Sequence, residues 1–488
     1  MQNINMKISR FSPDKDDIPE IKEYNVILND GAMVLDALIY VKDNLDQTLG
    51  FRYCCRAGQC GSCAVKLNGE PVLACMTAAV DGMVIEPLDF PVIKDLITDI
   101  DPLLKDIPGV VPCDSSGIPT KEQIDAIKPL RDCIECLCCV SSCPAMKVAD
   151  FKGPTVMRQE MRLELDPRDT RNLVPGSVNE GLFTCTSCQK CVEVCPKDIR
   201  IPHKAIEKLR ELANRQGFTL PRHQEVAELV KVTGRSVDMQ KQTLFSQVPE
   251  VIEPDGEVRA EVGFFVGCMY NMRVVQNGLD ALEVLKRNGV RVIIPKDQVC
   301  CGSPLIRTGQ TSFLEELKTK NIECFEKRGI KRVMTMCAGC GSTLKNDYDT
   351  PYEVIDINEL LTEIGIEPPE KLDVKVTYHD PCHLKRGQGV DKEPREILRM
   401  ITDDFVEMPS ICCGAGGGVR SGLPDVAASL GEGRDIEIKK TGCDIVVTSC
   451  PFCEFHIQDS TDKPVKNINS LLLEGYKKKD ALKSGDDE

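Results

Sequence analysis

Several features are missing from this 488-residue chain, and each absence closes off a class of function. No apolar run approaches the roughly 20 residues that a membrane-spanning helix requires, so no direct membrane span is expected. The opening residues, MQNINMKISRFSPDKDD, carry no apolar core of the secretory kind, and a cytoplasmic location is the expectation. Lys and Arg are outnumbered by Asp and Glu, leaving a net charge of −15. A basic surplus is what phosphate backbones demand, so nucleic acid is not an expected partner. No G-x-G-x-x-G opens a βαβ unit. The stretch Cys413–Val419, CGAGGGV, misses that spacing, so no dinucleotide is expected to bind this chain.

Cysteine is what the chain has in excess, 27 residues of it. Disulfide frameworks of such density belong to short secreted chains, whereas this length predicts roughly three or four domains. Closely spaced cysteines in a reducing compartment are metal ligands first.

The run RDCIECLCCVSSCP places Cys133, Cys136, Cys139 and Cys143 at the spacing C-x2-C-x2-C-x3-C-P. In two-cluster ferredoxins the fourth cysteine of such a run serves the other cluster. A second copy comprises Cys185, Cys188, Cys191 and Cys195. Cross-ligation therefore predicts one cubane on Cys133, Cys136, Cys139 and Cys195, and another on Cys143, Cys185, Cys188 and Cys191. Upstream, Cys55, Cys60 and Cys63 followed by Cys75 have the plant-type [2Fe–2S] spacing. Gly58 and Gly61 suit a loop folded closely over a cluster, and a zinc site would prefer two paired CxxC knuckles. Strands at Asn5–Phe11, Glu23–Asn29 and Gly82–Pro87 surround a helix at Ala32–Asp43. Pro102–Pro119 and Ser236–Glu257 read as linkers, with helices such as Lys204–Arg215 between them.

Beyond residue 260 apolar strands alternate with helices, the pattern of an α/β unit with a mainly parallel sheet. The pattern occurs twice. The first copy carries Cys268, Cys300, Cys301, Cys337 and Cys340; the second carries Cys382, Cys412, Cys413, Cys450 and Cys453. Each group falls at the C-terminal end of an expected strand, where ligands gather in open α/β sheets. Five cysteines are one too many for a four-thiolate cubane or zinc site, and zinc with one bystander is the alternative. Cys54, Cys113, Cys138, Cys324 and Cys443 are left over and read as buried small hydrophobes. The expected architecture is multidomain, α+β and α/β. It comprises a β-grasp [2Fe–2S] ferredoxin domain at 1–102, an α-helical two-cluster ferredoxin domain at 103–235, a linker at 236–260, and tandem α/β CCG domains at 261–370 and 371–488.

Through CCRAGQCGSCAVKLNGEPVLAC, RDCIECLCCVSSCP and FTCTSCQKCVEVCPKDI, the first 235 residues resemble the iron–sulfur subunits of the succinate dehydrogenase/fumarate reductase family. That resemblance implies a flavoprotein partner, the fumarate reductase flavoprotein of a heterodimer, holding FAD. Most members lack the middle cysteine of the second run and hold [3Fe–4S] beside a quinone; Cys188 stands there in this chain and implies [4Fe–4S]. The second half, through GSPL after the first Cys-Cys and YHDPCHL around Cys382, resembles the CCG domains of heterodisulfide reductase catalytic subunits. There each five-cysteine set is understood to hold a noncubane [4Fe–4S] cluster, with a disulfide handled between the two. The cofactors implied are one [2Fe–2S], two cubane [4Fe–4S] and two noncubane [4Fe–4S].

The two halves together resemble the thiol:fumarate reductase family of methanogenic archaea, which oxidises coenzyme M and coenzyme B to their heterodisulfide and reduces fumarate to succinate. Because those coenzymes end in a sulfonate and a phosphate, Arg307, Lys385, Arg386 and Arg420, each a few residues after a cluster cysteine, are candidate anion contacts. His379, His383 and His456 lie beside cluster cysteines, and His383 is the candidate proton acceptor. The rival readings are a quinone-linked succinate dehydrogenase or fumarate reductase subunit and the electron-transfer subunit of a 2-hydroxyacid oxidoreductase.

Overall fold

The computed structural model describes residues 1–15, 17–111 and 118–485; Cys113 lies outside the described residues. The chain divides into two compact units, Met1–Leu182 with Gln189–Leu209, and Phe183–Cys188 with Arg210–Glu488.

In the first unit, strands β1 (Gln2–Arg10), β2 (Glu20–Leu28), β3 (Ala64–Leu67), β4 (Glu70–Leu73) and β5 (Met83–Glu86) form one sheet in the order β2-β1-β5-β3-β4. Only the β1–β5 pair is parallel. Ile4, Met6 and Ile8 point inward at a period of two and meet Val34, Leu35 and Leu38 of the helix Val34–Tyr40. A small hairpin of β6 (Val92–Lys94) and β7 (Ile97–Thr98) follows. The helix Asp101–Asp106 occupies the start of the stretch expected to be a linker, with Pro102 in its first turn, where a missing N–H does no harm. Further along, the helices Lys121–Arg131 and Pro154–Glu164 pack together.

The second unit contains two sheets with one topology. The first runs β12 (Glu353–Asp356), β11 (Arg332–Thr335), β9 (Ala260–Phe265), β10 (Val290–Ile293), β8 (Val251–Ile252); the second runs β14 (Phe405–Val406), β13 (Val376–His379), β15 (Ile445–Thr448), β16 (Val465–Asn467). All pairings are parallel except β8 on β10. In each sheet the chain reverses its direction of winding about the central strand, β9 or β13, and cysteines follow the carboxyl ends of the strands there. The stretch 236–260 is more than a connector: Leu244 is fully buried in the core and β8 extends the first sheet. The repeats also exchange helices. Ile357–Ile364 packs on Lys392–Ile401, and the last helix, Ile468–Ser484, packs on Val275–Arg287. Tyr476 accepts a hydrogen bond from the Asn288 amide at 3.0 Å, and Arg287 lies 2.6 Å from Asp480.

Candidate iron–sulfur sites

Each cysteine set is held by loops whose backbone conformation the spacing demands. At the [2Fe–2S] signature the amides of Ala57 and Gln59 donate to the Cys55 sulfur at 3.4 and 3.3 Å. Cys60 lies within hydrogen-bonding reach of Cys55, and Cys63 of Cys75. The Ser62 hydroxyl, 2.9 Å from the Cys60 sulfur, is the main cause pulling that thiol down to about 6. Gly61 has φ +71, and a Cβ there would sit 2.8 Å from the Ile134 carbonyl, so this loop rests directly on the first ferredoxin run. Cys54, expected to be buried, is exposed, as is its neighbour Cys55, because the whole stretch 52–57 lies at the surface.

The two ferredoxin runs repeat a local geometry. Glu135 and Leu137 in the first, and Ser187 and Gln189 in the second, adopt left-handed φ between 51 and 62°. Such values are uncommon outside glycine and are held only where surroundings dictate them. They turn amides toward sulfur: Glu135 N–H donates to Cys133 and Ser187 N–H to Cys185, both at 3.4 Å. Cys139 feels the charges of Cys136, Cys133 and Cys195, which places these four sulfurs together. Cys143 and Cys191 belong to the first unit, Cys185 and Cys188 to the second. Cys138 is fully buried among the sheet's core residues.

In the second unit all ten repeat cysteines line one cavity of ≈ 590 Å³. Their sulfurs form an unbroken line, each within hydrogen-bonding reach of the next. It runs from Cys268 through Cys300, Cys301, Cys340 and Cys337 to Cys450, Cys453, Cys413 and Cys412. Cys412 then touches both Cys382 and Cys188. The first repeat therefore meets the second at Cys337–Cys450, and the second meets the ferredoxin run at Cys412–Cys188.

Neighbouring sulfurs push one another in opposite directions at several places on this line. Hydrogen bonds from Cys412 and then Cys453 hold the Cys413 thiol well below its ordinary range, while Cys413 and Cys450 push Cys453 well above it. Buried sulfurs so crowded have mainly one another as partners, the donor set that soft thiophilic metals and iron–sulfur clusters require. The residues fit such groups.

Around the line, polar contacts fix the loops. Arg210, fully buried, donates to the carbonyls of Arg307 at 2.5 Å, Gly417 at 3.0 Å and Cys185 at 2.7 Å. One guanidinium thus clasps both repeats and the ferredoxin run. A Cβ on Gly417 would overlap the Cys185 carbonyl, which explains the glycines of CGAGGGV. Asp380 is gripped by Arg395 at 2.8 and 2.9 Å and by Lys385 at 3.2 Å, setting the turn that leads into Cys382.

Of the candidate anion contacts, Arg307 and Arg420 line the cavity; Lys385 and Arg386 are not among its lining residues. Arg307 is buried against Asp347 at 2.7 Å, and Arg386 donates to the Ser410 carbonyl at 2.6 Å. Arg222 and Arg273 also line the cavity; nothing in the local sequence marks Arg222, whereas Arg273 stands a few residues after Cys268, the kind of position that marked the other candidates. Arg420, Arg222 and Arg273 each pair with a solvent-exposed carboxylate, on Asp459, Glu225 and Asp238. His383 lines the cavity as well. His456 lies 2.9 Å from the Ala427 carbonyl, so its ring is tied to backbone. His379 is fully buried and has a ring nitrogen within 4.8 Å of the sulfurs of Cys413 and Cys453.

Known proteins show the same composition. Residues 5–105 match the family described as 2Fe-2S iron-sulfur cluster binding domain, residues 129–199 the 4Fe-4S dicluster domain, and residues 262–345 and 376–458 the cysteine-rich (CCG) domain. The chain is 43% identical over 496 residues to the B subunit of fumarate reductase (CoM/CoB) from Methanothermobacter marburgensis, covering 97% of this chain and 99% of that protein. It is 30% identical over 371 residues to the D subunit of dihydromethanophenazine:CoB–CoM heterodisulfide reductase from Methanosarcina barkeri, covering 68% of this chain and 89% of that one. Its first part is 36% identical over 231 residues to the fumarate reductase iron-sulfur subunit of Mycobacterium tuberculosis, covering 43% and 92% respectively. No helix among the described residues is long and apolar enough to cross a membrane.

Proposed function

Since this chain belongs to the family of the fumarate reductase (CoM/CoB) B subunit, an iron–sulfur electron-transfer family, we propose that it oxidises coenzyme M and coenzyme B to their heterodisulfide and sends the electrons to a flavoprotein subunit that reduces fumarate. Two thiols lose two protons and two electrons as the S–S bond forms; fumarate takes up two electrons and two protons to give succinate. Bound at the five cysteine sets, one [2Fe–2S] and four [4Fe–4S] clusters, two of them noncubane, would supply one-electron carriers. The observation that carries this reading is the unbroken line of sulfurs joining both repeats to Cys188 around a single cavity.

The residues of the wall divide the work. Arg420, Arg222 and Arg273 hold the sulfonate and phosphate ends, because an exposed carboxylate partner is exchanged for a ligand anion at little loss. Arg307, in a buried pair with Asp347, shapes the wall instead. Met269, Phe452 and Phe455 cover the apolar stems of the coenzymes. His383 is placed to receive a thiol proton. Arg210 keeps the Cys185 loop against both repeats, so the path out of the cavity has a fixed length.

The test is an assay of the copurified complex for fumarate reduction with the paired coenzyme thiols and, separately, with a quinol. Turnover with the thiols is expected; turnover with quinol alone would overturn the proposal.

A further inference from the structure

The two five-cysteine sites share a fold, yet charged residues surround them differently. Sixteen residues before Cys337 stands Asn321; sixteen before Cys450 stands Arg434. Both are fully buried, on the helices Leu314–Glu326 and Pro424–Thr441 that precede the equivalent strands β11 and β15. They do the same mechanical job. Asn321 donates to the Cys300 carbonyl at 3.1 Å, and Arg434 donates to the Pro409 carbonyl at 2.9 Å, each steadying the loop that bears the Cys-Cys pair. Likewise, three residues before Cys268 is Phe265, and three before Cys382 is His379. A neutral amide and a phenyl ring at the first site thus become a guanidinium and an imidazole at the second. Counting four onward from the same cysteines sets Met272 against Arg386.

Arg434 has no carboxylate partner among the described residues, and its Nε has no hydrogen bond. The negative groups acting on it most strongly are the sulfur of Cys413, then Glu437, then the sulfurs of Cys382 and Cys412. At the first site the buried guanidinium, Arg307, is offset by Asp347. Burying an uncompensated charge is expensive unless something opposite faces it, and here the sulfurs of Cys413 and Cys412, both shifted toward the thiolate, do. One Arg434 nitrogen is 3.4 Å from His379 Nδ1. Guanidinium has only donors, so Nδ1 accepts and the imidazole proton sits on Nε2. That nitrogen has no protein partner among the described residues.

We infer that Arg434, acting with His379, gives the second five-cysteine site a higher reduction potential than the first and makes it the point where electrons leave the cavity. A fixed positive charge favours the form with one more electron. The site so favoured is the one in contact with Cys188, through Cys412. Electrons are drawn from Cys268's end of the line toward the ferredoxin run. The inference rests on clusters being bound at both sites and on nothing about which thiols are oxidised.

The test is a potentiometric titration of the purified complex followed by EPR, with iron and sulfide measured per chain, for the parent, R434Q, R434K and H379F. The parent should show two distinct potentials for the noncubane sites. R434Q should lower the higher one so that, at fixed potential, its reduced-to-oxidised ratio falls about tenfold, some 59 mV for one electron. R434K should restore most of that shift, and the lower potential should not move. Full iron with unchanged potentials in R434Q overturns the inference. So does R434K falling as far as R434Q, which would make the residue a packing element. If R434Q loses iron, H379F decides: it must move the same potential downward, and an unmoved potential overturns the inference. Parent complex with too little iron for both sites would instead sink the cluster assignment beneath it.

Discussion

Arg420 is the residue whose replacement separates coenzyme binding from the rest of the machinery. Its guanidinium lines the cavity and its ion pair with Asp459 is solvent-exposed, so R420E removes an anion contact without unpicking the core. A charge-assisted hydrogen bond is worth roughly 1.5–3 kcal/mol. The KM for the coenzyme thiols should therefore rise by about ten- to a hundredfold, measured against fumarate reduction driven by an artificial one-electron donor, which should be unaffected. A second residue answers to pH. Burial raises the carboxyl of Glu160 to about 8, although the Ser177 hydroxyl donates to it at 2.8 Å. The folded protein holds that proton where the unfolded chain, with an ordinary value of 4.5, has released it. Stability from this group is full below about 4.5, declines as pH rises, and is lost by about 8. E160Q should flatten that decline in thermal melts between about pH 5 and 8.5, and an unchanged slope would remove Glu160 as its source.

At the scale of elements, the loops that carry sulfur are held by backbone contacts with partners distant in sequence. R210M would leave three carbonyls without their donor, and unsatisfied buried acceptors each cost about 1–3 kcal/mol. The denaturation midpoint should fall by the equivalent of about 3 kcal/mol or more. G417A should act more narrowly, pushing the Cys185 carbonyl away and releasing iron from the second ferredoxin set before any other; iron analysis with EPR would detect it. These contacts also mark the limit of what the sequence discloses. Cysteine sets at C-x2-C-x2-C spacing are legible because the spacing itself dictates a local turn, and the left-handed residues 135, 137, 187 and 189 recur accordingly. The winding of both repeats is legible from the alternation of strands and helices. Arg210 is different: its acceptors lie 25, 97 and 207 residues away, and no periodicity reports on that. Arg222 is hidden because only the fold brings it to the cavity wall, whereas Arg273, a few residues after Cys268, meets the spacing that marked the other candidates. β8 escapes a sequence reading because a two-residue edge strand beside prolines has no pattern of its own. Cys54 defies its expected burial because the loop that carries it, 52–57, lies at the surface, which adjacency to a ligand does not report.

For the whole molecule, Cys188 is where two functions meet. It completes the second ferredoxin run and touches Cys382 and Cys412 of the second repeat. C188S should lower iron by about one atom per chain, as expected when a four-iron site loses one of its four ligands. It should also slow fumarate reduction driven by the coenzyme thiols more than reduction driven by a donor that feeds the [2Fe–2S] end. The exchanged helices Ile357–Ile364 and Ile468–Ser484 lock the repeats so that Cys337 and Cys450 stay in contact. The line of thiols, the ten of the repeats joined by Cys188, has a consequence for how this protein comes into being. Adjacent thiols are also the reactants of disulfide formation. Air reaching the freshly folded, iron-free chain would zip the line shut, pair by pair, with two hydrogens lost at each closure. Iron delivered before oxygen arrives is what would keep these thiols available as ligands.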